Sequence, residues 1–540
     1  MDQKLIYWAR HVSPAEEQLQ SLRNVLREIA QNPQSNDKIP FGQLGALHFA
    51  SLTLFDEEDH KADPLLVFEC NVDAPCLTFV QALVQVGRRG LDELFAGVKE
   101  YPHGGTDEAV ADYLMGQKRR GQLHHEGHPH LSVSAITGDF ELRRSIAREL
   151  EADLELRNRS PAGIIDEIRM RANVPKGRRR LRPWHDSWSG TAQGDPTPLE
   201  EIRWLPEQKS WQRARFIAAF SALGWIVGAA IDVATHATFG ISHSVAIGTV
   251  FLLTLLLFHK ASVHVKLLKG ATIAGLLAGA IAAAVRFVPF LAAPPGYVVA
   301  AAWVVVAPVV FLLVSNASIL TTLPLTRTFP ILDGPARERL RRLAEAEERP
   351  ENGGYNHVAG LSVLAESFPY RPVRWLRTFL VLGVLNFFYR TLFVRGRLLS
   401  IPTIHFAQWS LVDRSRLLFL TNYDGGADSY LDDFFNTLAY GVAFIWIDTT
   451  IFPGTIDPRH LKAWVRRGQT LASVRYRAPV YEHLTVGAIN SNVEIRKRLL
   501  RGHDESSART WLSRFAISVE KQGVFARFVV WLRHRISLPV

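Results

Sequence analysis

Leu47-His48-Phe49-Ala50-Ser51-Leu52-Thr53-Leu54-Phe55-Asp56 returns later in the chain as Ile404-His405-Phe406-Ala407-Gln408-Trp409-Ser410-Leu411-Val412-Asp413. Both runs alternate as half-buried strands do. Three further blocks follow in the same order. Leu65 to Asp73 matches Arg416 to Asp424, and Arg119-Arg120-Gly121-Gln122 matches Arg466-Arg467-Gly468-Gln469. His130 to Ile136 matches His483 to Ile489, and Glu141 with Arg143 answers Glu494 with Arg496. The offset stays between 347 and 357 residues throughout, which chance does not produce. Residues 39–156 and 399–503 therefore read as two copies, A and B, of one domain.

Each copy begins with two β-rich runs, the second ending in Asn-x-Asp (Asn71/Asp73; Asn422/Asp424), followed by a helical segment. A basic helix ending in Arg-Arg-Gly-Gln, a last strand and a closing helix complete it. Strands interleaved with helices predict an α+β sandwich, one sheet covered by helices on one face. The uncovered face needs a partner, and the other copy is the natural one, so a ligand would lie between the two sheets.

Outward from the copies, 1–38 holds an amphipathic helix started by Ser13-Pro14-Ala15-Glu16. Residues 157–212 form a basic linker, 325–398 a connector with an interfacial or domain-packing helix, and 504–540 an amphipathic basic tail beginning near Trp511. Between linker and connector, 213–324 carries four apolar segments, from Phe216, Val245, Ala271 and Tyr297. Three reach the roughly 20 residues needed to cross a bilayer, and the block reads as a four-helix transmembrane domain. Arg213, Arg215, Lys260, Lys266, Lys269 and Arg327 flank alternate ends, which under the positive-inside rule places both termini in the cytoplasm of an integral membrane protein, of a bacterial inner membrane.

The chain carries a net charge of +10, in runs such as Lys176-Gly177-Arg178-Arg179-Arg180 before the apolar block. Beside a bilayer such runs answer anionic lipids. No motif for nucleic-acid recognition accompanies them. Cys70 and Cys76 are the only cysteines, so no disulfide framework is expected.

Among residues able to do chemistry, His48 and His405 come first. With period two, His48 would share a face with Ala50, Leu52 and Leu54, and His405 with Ala407, Trp409 and Leu411. Each could ligate haem, act as a general base, or simply fix a turn by hydrogen bonding. Asp424 closes its strand ahead of Gly425-Gly426, and only copy B keeps Tyr423 and these glycines, so copy B is the candidate for an active site. The tract His124-His125-Glu126-Gly127-His128-Pro129-His130 matches no closed zinc spacing and reads as a loop with adventitious metal affinity; no metal site is expected. Within the apolar block, Asp232 and Arg286 read as an intramembrane pair.

Ile401 to Ala407 followed by Leu417 to Gly425 resembles a group of largely uncharacterised bacterial membrane proteins. More distantly, it resembles the ferredoxin-like α+β folds of dye-decolorizing haem peroxidases and chlorite-dismutase-type enzymes, in which two such units pack together. The resemblance implies two packed ferredoxin-like sandwich repeats, here separated in sequence by the four-helix transmembrane domain. Those peroxidases carry Gly-x-x-Asp-Gly; the nearest stretch here, Thr421-Asn422-Tyr423-Asp424-Gly425, lacks the first glycine. A membrane-anchored, peroxidase-like oxidoreductase acting on a lipophilic or peroxide substrate is the first expectation. It has haem as candidate cofactor held by His405 or His48, and Asp424, His405 and Tyr423 as catalytic candidates. A non-catalytic binding or scaffold protein is the alternative, and a transporter the second alternative.

Overall fold

The computed structural model describes residues 3–56, 63–73, 75–157, 159–174, 199, 355–366, 371–392, 401, 403–453, 458–500 and 504–515. Its strands are β1 (Gln3–His11), β2 (Leu47–Phe55), β3 (Leu65–Asp73), β4 (Leu123–Glu126), β5 (Tyr355–Val363), β6 (Ile404–Leu411), β7 (Arg416–Asp424), β8 (Gln469–Thr470) and β9 (Val474–Arg477). Its helices are α1 (Glu16–Gln31), α2 (Cys76–Leu94), α3 (Asp107–Gln117), α4 (Val133–Ala152), α5 (Leu154–Arg157), α6 (Pro161–Arg171), α7 (Arg371–Leu392), α8 (Ala427–Trp446), α9 (Pro458–Gly468), α10 (Val486–Leu499) and α11 (Glu505–Leu512). The chain divides into two compact units, one built from 1–131 with 209–478 and the other from 132–208 with 479–540.

The larger unit holds two antiparallel sheets, ordered β1-β3-β2-β9 and β4-β6-β7-β5-β8. Each takes a strand from the other copy. β4, from copy A, pairs with β6 (Leu123 opposite Trp409, Glu126 opposite Phe406), while β9, from copy B, pairs with β2 (Ser51 opposite Arg475). The two halves are thus interlocked by reciprocal strand exchange. Two strands lie outside the segments that the repeats delimit: β1 joins the first sheet ahead of α1, and β5 joins the second from within the polar connector.

Helices cover the outer face of the first sheet. Leu22, Leu26 and Ile29 of α1, with Val80, Leu83 and Leu91 of α2, pack on Ala50, Leu52 and Leu54 of β2. The spacing of these apolar residues at three and four places a continuous stripe on each helix. On the second sheet, Trp409 stacks on Phe419 at 4.8 Å, and both pack with Trp446 of α8. The inner faces meet through Tyr7, Phe55, Val67, Leu361, Leu418 and Leu420. β2, β3 and β6 are buried on both faces, so the inward-facing polar residues must find partners inside the protein.

α7 is a packing helix. Its Arg377 forms an ion pair with Asp448, which also accepts from Thr378 Oγ1 at 2.9 Å, and Trp375 Nε1 donates to the Asp413 carbonyl at 3.2 Å. The expected four-helix transmembrane domain, and with it the integral-membrane placement, is corrected here to an α+β fold with two antiparallel sheets. Among the described residues no helix is long and apolar enough to cross a membrane. Even α7, with 22 residues, carries Arg371, Arg374, Arg377 and Arg390 in its sequence. The segment 213–324, with Asp232 and Arg286, lies outside the described residues.

In the smaller unit, α4 and α10 are the equivalent closing helices of the two copies. The fourth repeated block, expected as a strand, forms their N-termini: Ser132 and Thr485 hydroxyls accept from the amides of Ala135 and Ala488. A hydroxyl three residues ahead of a free amide favours a helix start over a strand. Arg496 Nε donates to Asp139 Oδ1 at 2.6 Å, and the equivalent Arg143 Nη1 donates to Asn492 Oδ1 at 3.2 Å. Leu142, Ile146, Ile495 and Leu499 pack between them with Trp511, which is fully buried rather than displayed on an amphipathic tail.

Candidate functional site

Each repeated histidine sits where its strand slips register. The pairing of β2 with β3 shifts between Leu47 and Phe49, and that of β6 with β7 between Ile404 and Phe406, so His48 and His405 are the extra residues of two equivalent β-bulges. The bulge breaks the alternation expected from period two. Ala50, Leu52 and Leu54 point into the helix-covered core, whereas the ring of His48 meets Phe406 and His128. The ring of His405 likewise meets Phe49 and His128.

The strand-end carboxylates hold these rings. His405 Nε2 lies 2.7 Å from Asp424 Oδ1, and His48 Nε2 lies 3.0 Å from Asp73 Oδ1. The backbone of each bulge in turn receives the segment that the other copy contributes. The His405 carbonyl accepts from the Gly127 amide at 2.7 Å, and the His48 carbonyl from the Ala478 amide at 2.8 Å. Histidine, aspartate and exchanged strand therefore form one motif, present twice.

One residue breaks the symmetry. His128, buried completely, lies between the two pairs, its Nε2 3.4 Å from His405 Nδ1 and its ring centroid 5.8 Å from that of His48. If His405 Nε2–H donates to Asp424, its Nδ1 is the acceptor for His128 Nε2–H. Burial, together with the neighbouring His405 and His48, holds the His128 ring well below the usual imidazole range. In the row by sequence, the residue answering His128 in copy B is Pro479.

His125 of β4 is likewise buried, with Nδ1 2.5 Å from the Tyr389 hydroxyl and Nε2 3.3 Å from the Ile404 carbonyl. A carbonyl can only accept, so Nε2 carries the proton and Nδ1 accepts from the tyrosine. Burial pushes this ring down to about 3. The first three residues of the histidine tract are thus part of the buried strand β4, and the rest form a turn in which His128 is buried; among the described residues no group of three His, Cys, Asp or Glu side chains could hold a metal ion.

Deeper between the sheets, Glu69 is a buried carboxylate contacted by four side chains. Ser51 Oγ is at 3.1 Å, Asn71 Nδ2 at 3.2 Å, Gln408 Nε2 at 3.3 Å and His357 Nε2 at 3.0 Å. Gln408 Oε1 also accepts from the amide of Gly121, where a Cβ would come within 2.8 Å of the Gln408 side chain. The Arg-Arg-Gly-Gln block is therefore an inter-sheet fastening: Gln122 Oε1 accepts from the Leu411 amide at 2.7 Å, and Arg119 pairs by backbone with Tyr7.

The structure brings together His48, His405, Asp73 and Asp424, all singled out by sequence. Tyr423 is not part of the group: it lies in the second sheet's helix-covered core, stacked on Tyr430 at 4.0 Å. Gly425 adopts φ +81°, a turn conformation that suits glycine and ends β7 at Asp424. His128, His125, Glu69, His357 and Gln408 were missed as site residues. For His125 a signal existed, since aligning β4 with β9 sets it against the apolar-faced Tyr476. For the inter-sheet residues no local pattern distinguishes a buried polar group from a surface one.

No protein-family model, no curated protein and no solved structure matches this chain.

Proposed function

We propose that the chain is a non-catalytic binding or scaffold protein whose twin His–Asp pairs are clasps for the exchanged strands. The observation that carries this is their position: each histidine occupies a bulge, its ring is tied to a strand-end carboxylate, and its carbonyl receives the strand from the other copy. A haem ligand needs a ring nitrogen free to face iron and room beside it for the macrocycle. Here Nε2 of both histidines faces a carboxylate, and Phe49, Phe406 and His128 pack against the rings at centroid distances of 5.2 to 5.8 Å. These residues do not fit a haem.

An acid–base role for copy B is the second reading, because the Asp424 side chain keeps 17% exposure beside Gly425-Gly426. Stability measurements on Asp424→Ala and Asp73→Ala separate the two. Catalytic groups are commonly held at a cost to stability, so replacing one leaves a fold unchanged or firmer. A clasp behaves oppositely. Each variant is expected to lose about 1–3 kcal/mol in urea unfolding, the cost of leaving a buried histidine without its charged partner. An Asp424→Ala protein as stable as the parent, together with loss of a peroxide-dependent turnover that the parent shows, would overturn the scaffold reading.

A further inference from the structure

The geometry points to an acid-released clasp: protonation of the histidines on and beside β4 frees that exchanged strand from the second sheet, while β9 stays on the first. The inference rests on the clasp reading above and adds to it a direction of regulation.

The two exchanged strands are equal in length, four residues each, and pair with equivalent strands. They differ in what titrates around them. His125 opposes Ala407 of β6, and His128 follows one residue after the Gly127 amide that anchors the segment to His405. In the matched positions copy B has Tyr476 for His125 and, after the anchoring amide of Ala478, Pro479 for His128; neither gains charge in mild acid.

The groups facing His128 and His125 come from every neighbouring element. β2 contributes His48, β6 contributes His405, and α7 contributes the Tyr389 hydroxyl. The carboxylates of Asp73 and Asp424 lie behind the first two histidines and bond to them. On β4 itself, His124 and Glu126 are 4.0 Å apart. A proton added to His128 thus meets the imidazoles of His405 and His48, and both of these are bonded to carboxylates through Nε2. One added to His125 at Nδ1 displaces the tyrosine's donated hydrogen bond. Both rings are completely buried, so the charged forms are accommodated only when the strand lifts away. Lifting leaves the outer backbone edge of β6 unpaired, the kind of edge that accepts an added strand.

Hydrogen exchange read by mass spectrometry on the full chain, corrected for the intrinsic rate, tests this at about pH 7.5 and about pH 5. The expected result is that protection over 123–127 falls at least ~10-fold more than protection over 474–478, since one pKa unit corresponds to a tenfold change. In a His125→Tyr, His128→Gln double variant that difference is expected to disappear, with 474–478 still protected as evidence of folding. Protection over 123–127 that is lost equally with 474–478, or acid loss that persists in the double variant, would overturn the inference while leaving the clasp intact. A β4 segment already unprotected at about pH 7.5 would overturn the clasp reading itself.

Discussion

Arg377→Met is expected to lower unfolding free energy by up to about 3–5 kcal/mol, because it removes the nearer of the two cations on the buried carboxylate of Asp448 and leaves only Arg374, whose Nη1 lies 3.5 Å from Oδ1. Asp448 is fully buried and Arg377 only 1% exposed, so water cannot take over as partner. Burial pushes the Asp448 carboxyl above the usual carboxylate range even though Arg377, Thr378 and Arg374 draw it back. The double variant Arg377→Met, Asp448→Leu is expected to recover part of the loss, as apolar replacements of buried pairs commonly do, and only part because Arg374 then loses the same carboxylate. Urea unfolding of the parent, both single variants and the double variant gives the cycle. A single-variant loss below about 1 kcal/mol, the range of an exposed pair, would show that α7 is not docked on the second sheet as described.

The second large effect is in pH. His125 and His128 have folded-state values below the unfolded imidazole value near 6.5. The unfolded chain therefore binds more protons in acid, and the stability these two residues allow is complete above about pH 6.5 and is lost as pH falls. For His125 the window extends down to about 3. Inside its window His125 contributes a slope of up to ~1.4 kcal/mol per pH unit, so descent from about pH 7 to about pH 5 should cost ~2 kcal/mol through this residue, and His128 adds a loss of the same sign. The carboxyls of Asp448, Asp139 and Glu141 are raised in the fold and act in the opposite direction over the acid range. Unfolding curves of the parent and of His125→Tyr, His128→Gln across that range isolate the histidine part. Equal slopes in the two proteins would contradict the assignment.

What the sequence made legible was local. The repeated blocks at Leu47 and Ile404, and at Leu65 and Arg416, are β2, β6, β3 and β7, because alternation and β-branched or aromatic residues specify a pleated, buried strand wherever it pairs. The histidines and strand-end aspartates could be singled out because both copies carry them. Which face the histidines occupy was not legible, since a bulge is a property of two strands in register and neither strand announces it alone. Strand exchange was hidden for a related reason: β4 and β9 are four residues long, and nothing in Leu123 to Glu126 states which copy supplies the partner. Ser132 and Thr485 lie where a last strand is expected, yet a hydroxyl ahead of an alanine-containing run is a helix start, and both residues cap helices. The expectation of a transmembrane block rests on run length, hydropathy and flanking charge, which describe a segment's solvation and say nothing of the sheets that organise the described chain.

The reciprocal exchange of strands is the claim on which the clasps depend, and a pair of cysteines reads it directly. Ser51 of β2 and Arg475 of β9 are register partners from different copies, more than four hundred positions apart in the chain. In a Ser51→Cys, Arg475→Cys protein under mild oxidation, peptide mass mapping of the monomer is expected to find the 51–475 disulfide as the dominant bond. Absence of that bond in the monomer, or its formation only between separate chains, would contradict the interlocked fold and the function read from it.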